Sequence, residues 1–145
     1  KTPFVFNLAS RNEHISTKSM DMAIRALKLS HTLGSSIYSF HAGFLIDPQP
    51  KQLGQNLRNS QLYDKQEAVN RFLEKVSRLS DISKNLGINL LIENNVLTKE
   101  NLKVFGENPL LMVSPADINE IMANMPKNVG LLMDVGHKVL VVYLI

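Results

Sequence analysis

Four short apolar runs, at residues 4–8, 37–40, 88–92 and 129–133, alternate along the chain with segments of helical periodicity. Each run is nearly continuous in apolar residues, without the alternation of apolar and polar side chains, which is typical of strands covered on both faces. The connections between successive runs are long enough for right-handed parallel crossovers. We therefore predict an α/β chain whose sheet contains about four parallel strands.

Start and stop signals mark the first two predicted helices. The first spans about residues 17–33, where apolar residues recur at spacings of three and four, and Gly34 follows as a stop. The second begins with the capping-box pattern of Asp64 and Glu67, carries one long apolar stripe, and ends at Gly87. Each stripe predicts a helix that packs one face on the sheet.

A third helix is predicted to open at Ser114, with Pro115 at its first position, and to end before Pro126. Two long loops are predicted after the second and third runs, at residues 48–59 and 98–109. Loops that follow the carboxyl ends of parallel strands carry the chemistry in barrels and open-sheet enzymes. We therefore look for functional residues at those strand ends.

The composition is that of one soluble globular domain over residues 1–145, with 44% hydrophobic and 20% charged residues. The absence of cysteine excludes disulfides, zinc-thiolate sites and a cysteine nucleophile, so a metal would need His, Asp and Glu ligands. The net charge of +3 is small and its basic residues are scattered, so the charge does not identify a class of partner. Because there is neither a long apolar stretch nor a signal-peptide pattern, we expect a cytoplasmic protein without a membrane partner.

Residues that can bind a metal follow three of the four runs. His41 follows the second run, Glu93 follows the third, and Asp134 and His137 follow the fourth. Because the carboxyl ends of parallel strands lie along one edge of a sheet, these four side chains are expected to converge. Two carboxylates and two imidazoles without sulfur suit Zn, Mn, Co or Mg.

Each of these residues also has a purely structural interpretation. His41 has the position of a turn residue, Asp134 that of a helix cap, and His137 that of a solvated loop residue. Glu93 is harder to explain in this way, because an unpaired carboxylate next to a buried strand is costly. Asn7 and Asn94, which lie at the ends of their runs, are candidates for substrate contact, and a turn role for Asn7 stays open.

The ordered motifs resemble the xylose-isomerase-like TIM barrel superfamily, which includes sugar phosphate isomerases and epimerases and the endonuclease IV enzymes. The resemblance runs from about residue 4 to residue 137 and rests on Phe6-Asn7-Leu8-Ala9-Ser10, Phe40-His41-Ala42-Gly43, Leu91-Ile92-Glu93-Asn94 and Met133-Asp134-Val135-Gly136-His137. It implies a (β/α)8 barrel with a metal site at the C-terminal rim. Because such a barrel usually takes roughly 250 residues, we expect this chain to be a partial barrel.

The resemblance also implies roles for the candidate residues. In the endonuclease branch, the residues that match His41, Glu93, Asp134 and His137 all bind a trinuclear zinc centre. In the epimerase branch, Glu93 would be both metal ligand and acid/base, Asp134 a ligand, and His137 a substrate contact. The remaining ligands of the family would lie beyond Ile145, and the apolar sequence after His137 departs from the family pattern.

Three functions are consistent with these observations. The first is a divalent-metal-dependent sugar or sugar phosphate isomerase or epimerase, with Glu93 and His137 as catalytic residues and a small-molecule sugar as partner. The second is an endonuclease IV-like zinc phosphodiesterase for abasic DNA, the one alternative with a nucleic-acid partner. The third is an inactive or binding-only partial barrel, whose open sheet edges would favour a homo-oligomer.

Overall fold

The structure, a computed structural model, describes residues 3–52 and 61–134. Its elements, in chain order, are α1 (Glu13–Thr32), β1 (Ile37–His41), a short 3-10 helix (Pro50–Gln52), α2 (Lys65–Asn85), β2 (Asn89–Glu93), α3 (Lys99–Phe105), α4 (Pro115–Ala123) and β3 (Val129–Leu132). The strands form one parallel sheet in the order β1-β2-β3. Within these residues, no helix is long and apolar enough to cross a membrane.

Side-chain caps fix where the long helices begin. The side chain of Asn12 accepts hydrogen bonds from two backbone N–H groups of the first turn, so α1 starts earlier than its apolar pattern predicts. Asp64 caps α2 through the N–H of Glu67 at 2.9 Å, as the capping-box pattern predicts. Ser114 caps α4 through the N–H of Asp117 at 3.1 Å, so that prediction is also confirmed.

Two predictions about the secondary structure are wrong. Residues 4–8 do not form a strand, because the N–H of Asn7 donates to the Ser19 hydroxyl at 3.0 Å and the Phe6 ring packs edge-on against Phe40. The apolar run therefore serves packing and not sheet pairing, and the described sheet has three strands where about four were predicted. The predicted loop at 98–109 contains α3, which Thr98 caps and which ends at Gly106 in the left-handed conformation.

The described helices cover one face of the sheet, and none of them covers the other. Leu90 and Ile92 of β2 are fully buried on that face, where they join the core formed with α1 and α2. The opposite face, called the open face below, carries side chains such as Ile37 and Leu132, which are 51% and 37% exposed. The sequence predicted that both faces of the sheet are covered, and in the described residues one face is. In a closed barrel the open face would line the interior.

Candidate functional site

His41 and Glu93 are the last residues of β1 and β2 and pair with each other in the parallel register. Because side chains alternate along a strand, both lie on the open face, opposite to the buried side chains of Phe40 and Ile92. His41 Nε2 and Glu93 Oε1 are 3.8 Å apart, and the side chains are 48% and 19% exposed. The sheet thus brings together two of the four predicted metal-binding residues.

Asp134 lies just beyond the end of β3 and is tied to the end of β2. Its backbone N–H donates to Asn94 Oδ1 at 2.8 Å, and the N–H of Asn94 donates to the Leu132 carbonyl at 3.4 Å. The oxygen of the Asn94 amide is therefore used within the protein. His137, the fourth predicted ligand, lies outside the described residues.

The donor types at this edge fit a divalent metal, although they are only part of a site. An imidazole nitrogen beside a carboxylate oxygen is a ligand pair used by Zn, Mn and Co. Among residues 3–52 and 61–134, no group of three or more His, Asp or Glu side chains is placed to hold a metal ion. A complete site on this rim would need further donors besides His41 and Glu93.

Asn7 is buried in the loop before α1 and organises the loop after β1. Its Oδ1 accepts hydrogen bonds from the N–H groups of Ala9 and Phe44, both at 3.0 Å. Its Nδ2 donates to the carbonyls of Phe44 and Ile46, both at 3.2 Å, and to Asp47 Oδ1 at 2.8 Å. These bonds use the whole capacity of the amide. The geometry therefore supports the turn role that the sequence left open for Asn7, and its contact with a substrate stays a prediction.

Asn95 is a second organising amide, and the sequence analysis missed it. Its buried Nδ2 donates to the carbonyls of Ala42 and Leu111, both at 2.9 Å. Its backbone N–H donates to the Met112 carbonyl at 3.1 Å. These bonds join the loop after β1 to the segment that follows α3. The available signal was the second Asn after Glu93, because a polar side chain so close to a buried strand needs partners.

A polar cluster around Asp47 completes the described rim, and the sequence analysis missed it too. Asp47 Oδ2 accepts hydrogen bonds from the Ser10 hydroxyl at 2.5 Å and from the Tyr63 hydroxyl. Burial, and then the bond to Asp47, raise the pKa of Tyr63 well above its ordinary value. The guanidinium groups of Arg11 and Arg71 lie over the Tyr63 ring, 4.8 and 5.7 Å from its centre. Through Asp47, the cluster joins the loop after β1 to the segments that precede α1 and α2.

The family model described as a xylose isomerase-like TIM barrel matches residues 2–141. A search of curated proteins finds no match. Among solved structures, the chain is similar to a D-tagatose 3-epimerase-like protein, with a TM-score of 0.68 and 23% identity over 94% of this chain and 44% of that one.

Two further structures have the same fold. A D-psicose 3-epimerase in the presence of D-fructose gives a TM-score of 0.65 at 23% identity, over 95% of this chain and 42% of that one. A D-psicose 3-epimerase from Clostridium cellulolyticum with D-tagatose gives 0.63 at 16% identity, over 92% and 40%. The chain thus spans less than half the length of each of these three structures. The predicted fold class is confirmed, and the chain belongs to the xylose isomerase-like TIM barrel family.

Proposed function

We propose that the full-length protein is a divalent-metal-dependent isomerase or epimerase of a sugar or sugar phosphate, which acts by proton transfer beside a carbonyl. The observation that carries this proposal is the position of Glu93. Its carboxylate lies at the C-terminal end of a central parallel strand, on the open face, and remains 19% exposed. The similarity in fold to sugar 3-epimerases gives further support.

Glu93 and Asp134 are the residues that we propose to hold the metal, which would be Mn, Mg, Co or Zn. Both belong to neighbouring strand ends, and the Asn94 bond to the Asp134 N–H keeps those ends together. A bound divalent cation would polarise vicinal oxygens of the substrate and make the adjacent C–H more acidic. His137, outside the described residues, is proposed to contact the substrate.

The proton transfer itself is assigned to Glu93. Its carboxylate would take the proton from the carbon beside the carbonyl, a role for which carboxylates are suited when they lie within reach of that carbon. Return of a proton to the opposite face requires a second acid or base, for which we expect a carboxylate on a later strand of the complete barrel. His41 lies beside Glu93 and would border the substrate on the β1 side.

The proposal is tested with a Glu93→Gln variant of the full-length protein. The amide keeps the shape of the side chain but cannot take a proton, so turnover should fall by roughly 100-fold or more. Product formation and incorporation of solvent deuterium would be followed on a panel of ketoses and ketose phosphates. Glu74→Gln is the matched control, because Glu74 is an exposed α2 residue paired with Lys75 and should leave turnover unchanged. Full activity in Glu93→Gln would contradict the assignment.

One observation favours the endonuclease IV-like alternative. His41 lies 3.8 Å from Glu93, and only in that branch would the residue at position 41 be a metal ligand. Cleavage of a duplex with a single abasic site, with zinc bound and without sugar turnover, would select the alternative. Metal binding without either activity would favour the binding-only partial barrel.

A further inference from the structure

We propose that Asn94 and Asn95, the two asparagines after Glu93, are positioning residues that hold the flanking strand ends at a fixed distance from Glu93. Asn94 holds the β3 side, where Asp134 lies, through its oxygen. Asn95 holds the β1 side, where His41 lies, through its nitrogen. This inference rests on the proposed function and deepens it, because it identifies what keeps the ligand-bearing strand ends in place.

Asn94 continues the sheet beyond its last strand pair. Glu93 pairs with Leu132 at the end of the β2–β3 ladder, where the N–H of Asn94 still donates to the Leu132 carbonyl at 3.4 Å. The Asn94 side chain then supplies the next link, because its Oδ1 accepts the N–H of Asp134 at 2.8 Å. Asn94 is only 5% exposed, so water competes little for this bond. The start of the loop that carries Asp134 is thereby fixed to β2.

Asn95 makes the corresponding link on the other side. The N–H of Ala42, the residue after His41, donates to the Glu93 carbonyl at 3.1 Å, which ends the β1–β2 ladder. Asn95 Nδ2 then donates to the Ala42 carbonyl and, from the other side, to the Leu111 carbonyl. With 6% exposure, Asn95 is enclosed by the backbone groups that it joins. The turn after His41 is thereby fixed to the residue two positions after Glu93.

Such links matter because ligands must be held within about 0.5 Å of their working positions, whereas loops beyond strand ends are the more mobile parts of a fold. The groups that orient metal ligands typically change metal affinity about 10- to 100-fold when they are removed. We therefore expect Asn94, which fixes a proposed ligand, to affect metal affinity directly.

Because Asn94 acts through its amide oxygen and Asn95 through its amide nitrogen, substitution by aspartate should have different effects at the two positions. Asn94→Asp keeps an oxygen that can accept the N–H of Asp134, so the link persists. Asn95→Asp removes the bonds that Nδ2 donates and turns carboxylate oxygens towards the carbonyls of Ala42 and Leu111. Asn94→Ala and Asn95→Ala remove each link without adding a charge. They keep the test informative if Asn95→Asp fails to fold.

The primary measurement is the affinity of the metal-free, full-length protein for Mn²⁺, by titration calorimetry. Asn94→Ala should bind Mn²⁺ about tenfold more weakly or worse, whereas Asn94→Asp, which keeps the acceptor for the Asp134 N–H, should bind it more tightly than Asn94→Ala does. Asn128→Ala is the matched control. Its amide also bonds across the structure, to Ser80, but precedes β3 at the other end of the sheet. It should lower stability without changing Mn²⁺ affinity.

The second measurement is hydrogen–deuterium exchange of the metal-free proteins. Asn94→Ala should speed exchange in peptides that contain Asp134, and Asn94→Asp should not. Asn95→Ala and Asn95→Asp should speed exchange around residues 42–45. Equal exchange and equal affinity in Asn94→Ala and the unaltered protein would overturn this inference and leave the proposed function in place. If the unaltered protein bound no divalent metal, the proposed function would fail, and the exchange pattern would still decide whether the amides hold the strand ends.

Discussion

Gly43 is predicted to be the most sterically restricted glycine of the described rim. A Cβ atom at this position would lie 2.5 Å from the Ala9 Cβ, 3.0 Å from Asn7 Oδ1 and 3.1 Å from the Ala9 backbone nitrogen. Gly43 does not have a positive φ, so the cost of Gly43→Ala comes from this overlap and not from backbone strain. Two of the three neighbouring atoms, a backbone nitrogen and the oxygen of a fully bonded amide, cannot move by a change of rotamer. The loop that carries Gly43 must therefore move away from the loop that carries Asn7 and Ala9. We expect a loss of about 2 kcal/mol in the free energy of unfolding.

The assay is urea unfolding of the full-length protein, followed by circular dichroism, in a double-mutant cycle with Ala9→Gly. Ala9→Gly alone should cost about 1.5 kcal/mol, from a lost buried methyl group and added chain entropy. In the double variant the closest contact is absent, so its cost should be smaller than the sum of the single costs by about 1 kcal/mol. Costs that add within about 0.5 kcal/mol would refute the argument that these two residues meet.

Two further predictions concern stability away from the strand ends. Asp64→Ala removes the side-chain acceptor for the Glu67 N–H and should lower the free energy of unfolding by about 1 kcal/mol. Asp64→Asn keeps an acceptor and should preserve the stability. Equal urea midpoints for both variants and the unaltered protein would contradict the role of the cap. Burial and the bond to Asp47 raise the pKa of Tyr63 above 10.0, so the folded protein holds the phenolic proton more tightly than the unfolded chain. This contribution is fully present below about pH 10 and is lost as the pH rises through the pKa of the folded state. Tyr63→Phe should therefore show a shallower loss of stability above pH 10, and an unchanged slope would argue against a raised pKa of Tyr63 in the folded protein.

The starts of the helices could be predicted from the sequence because the interactions that fix them lie within a few residues. Asp64 and Ser114 cap helices through N–H groups three residues away, so the spacing alone predicts both starts.

The prediction of a strand at residues 4–8 was wrong for a general reason. An apolar segment is buried equally well by packing beside a strand or by pairing with one, and periodicity does not distinguish the two cases. In this fold the N–H of Asn7 donates to the Ser19 hydroxyl and the Phe6 ring packs against Phe40, which are contacts of packing and not of sheet pairing.

The candidate site could be predicted in part for a reason of topology. Because parallel strands end at one edge, a residue after each apolar run is enough to predict that His41 and Glu93 meet, and they do. The links around them depend on the paths of long loops. Asn95 reaches Ala42 and Leu111 across the rim, and Tyr63 reaches Asp47 across the segment between β1 and α2. No spacing rule predicts those partners.

The most direct test of the proposed metal-dependent chemistry is the metal content of the full-length protein, purified without chelator, and of an Asp134→Ala variant. Elemental analysis should find about one divalent ion per chain in the unaltered protein and a large loss in the variant, because Asp134 is a proposed ligand. Three zinc ions per chain would instead select the nuclease alternative. Absence of metal from both proteins, or full retention in Asp134→Ala, would contradict the account of the site.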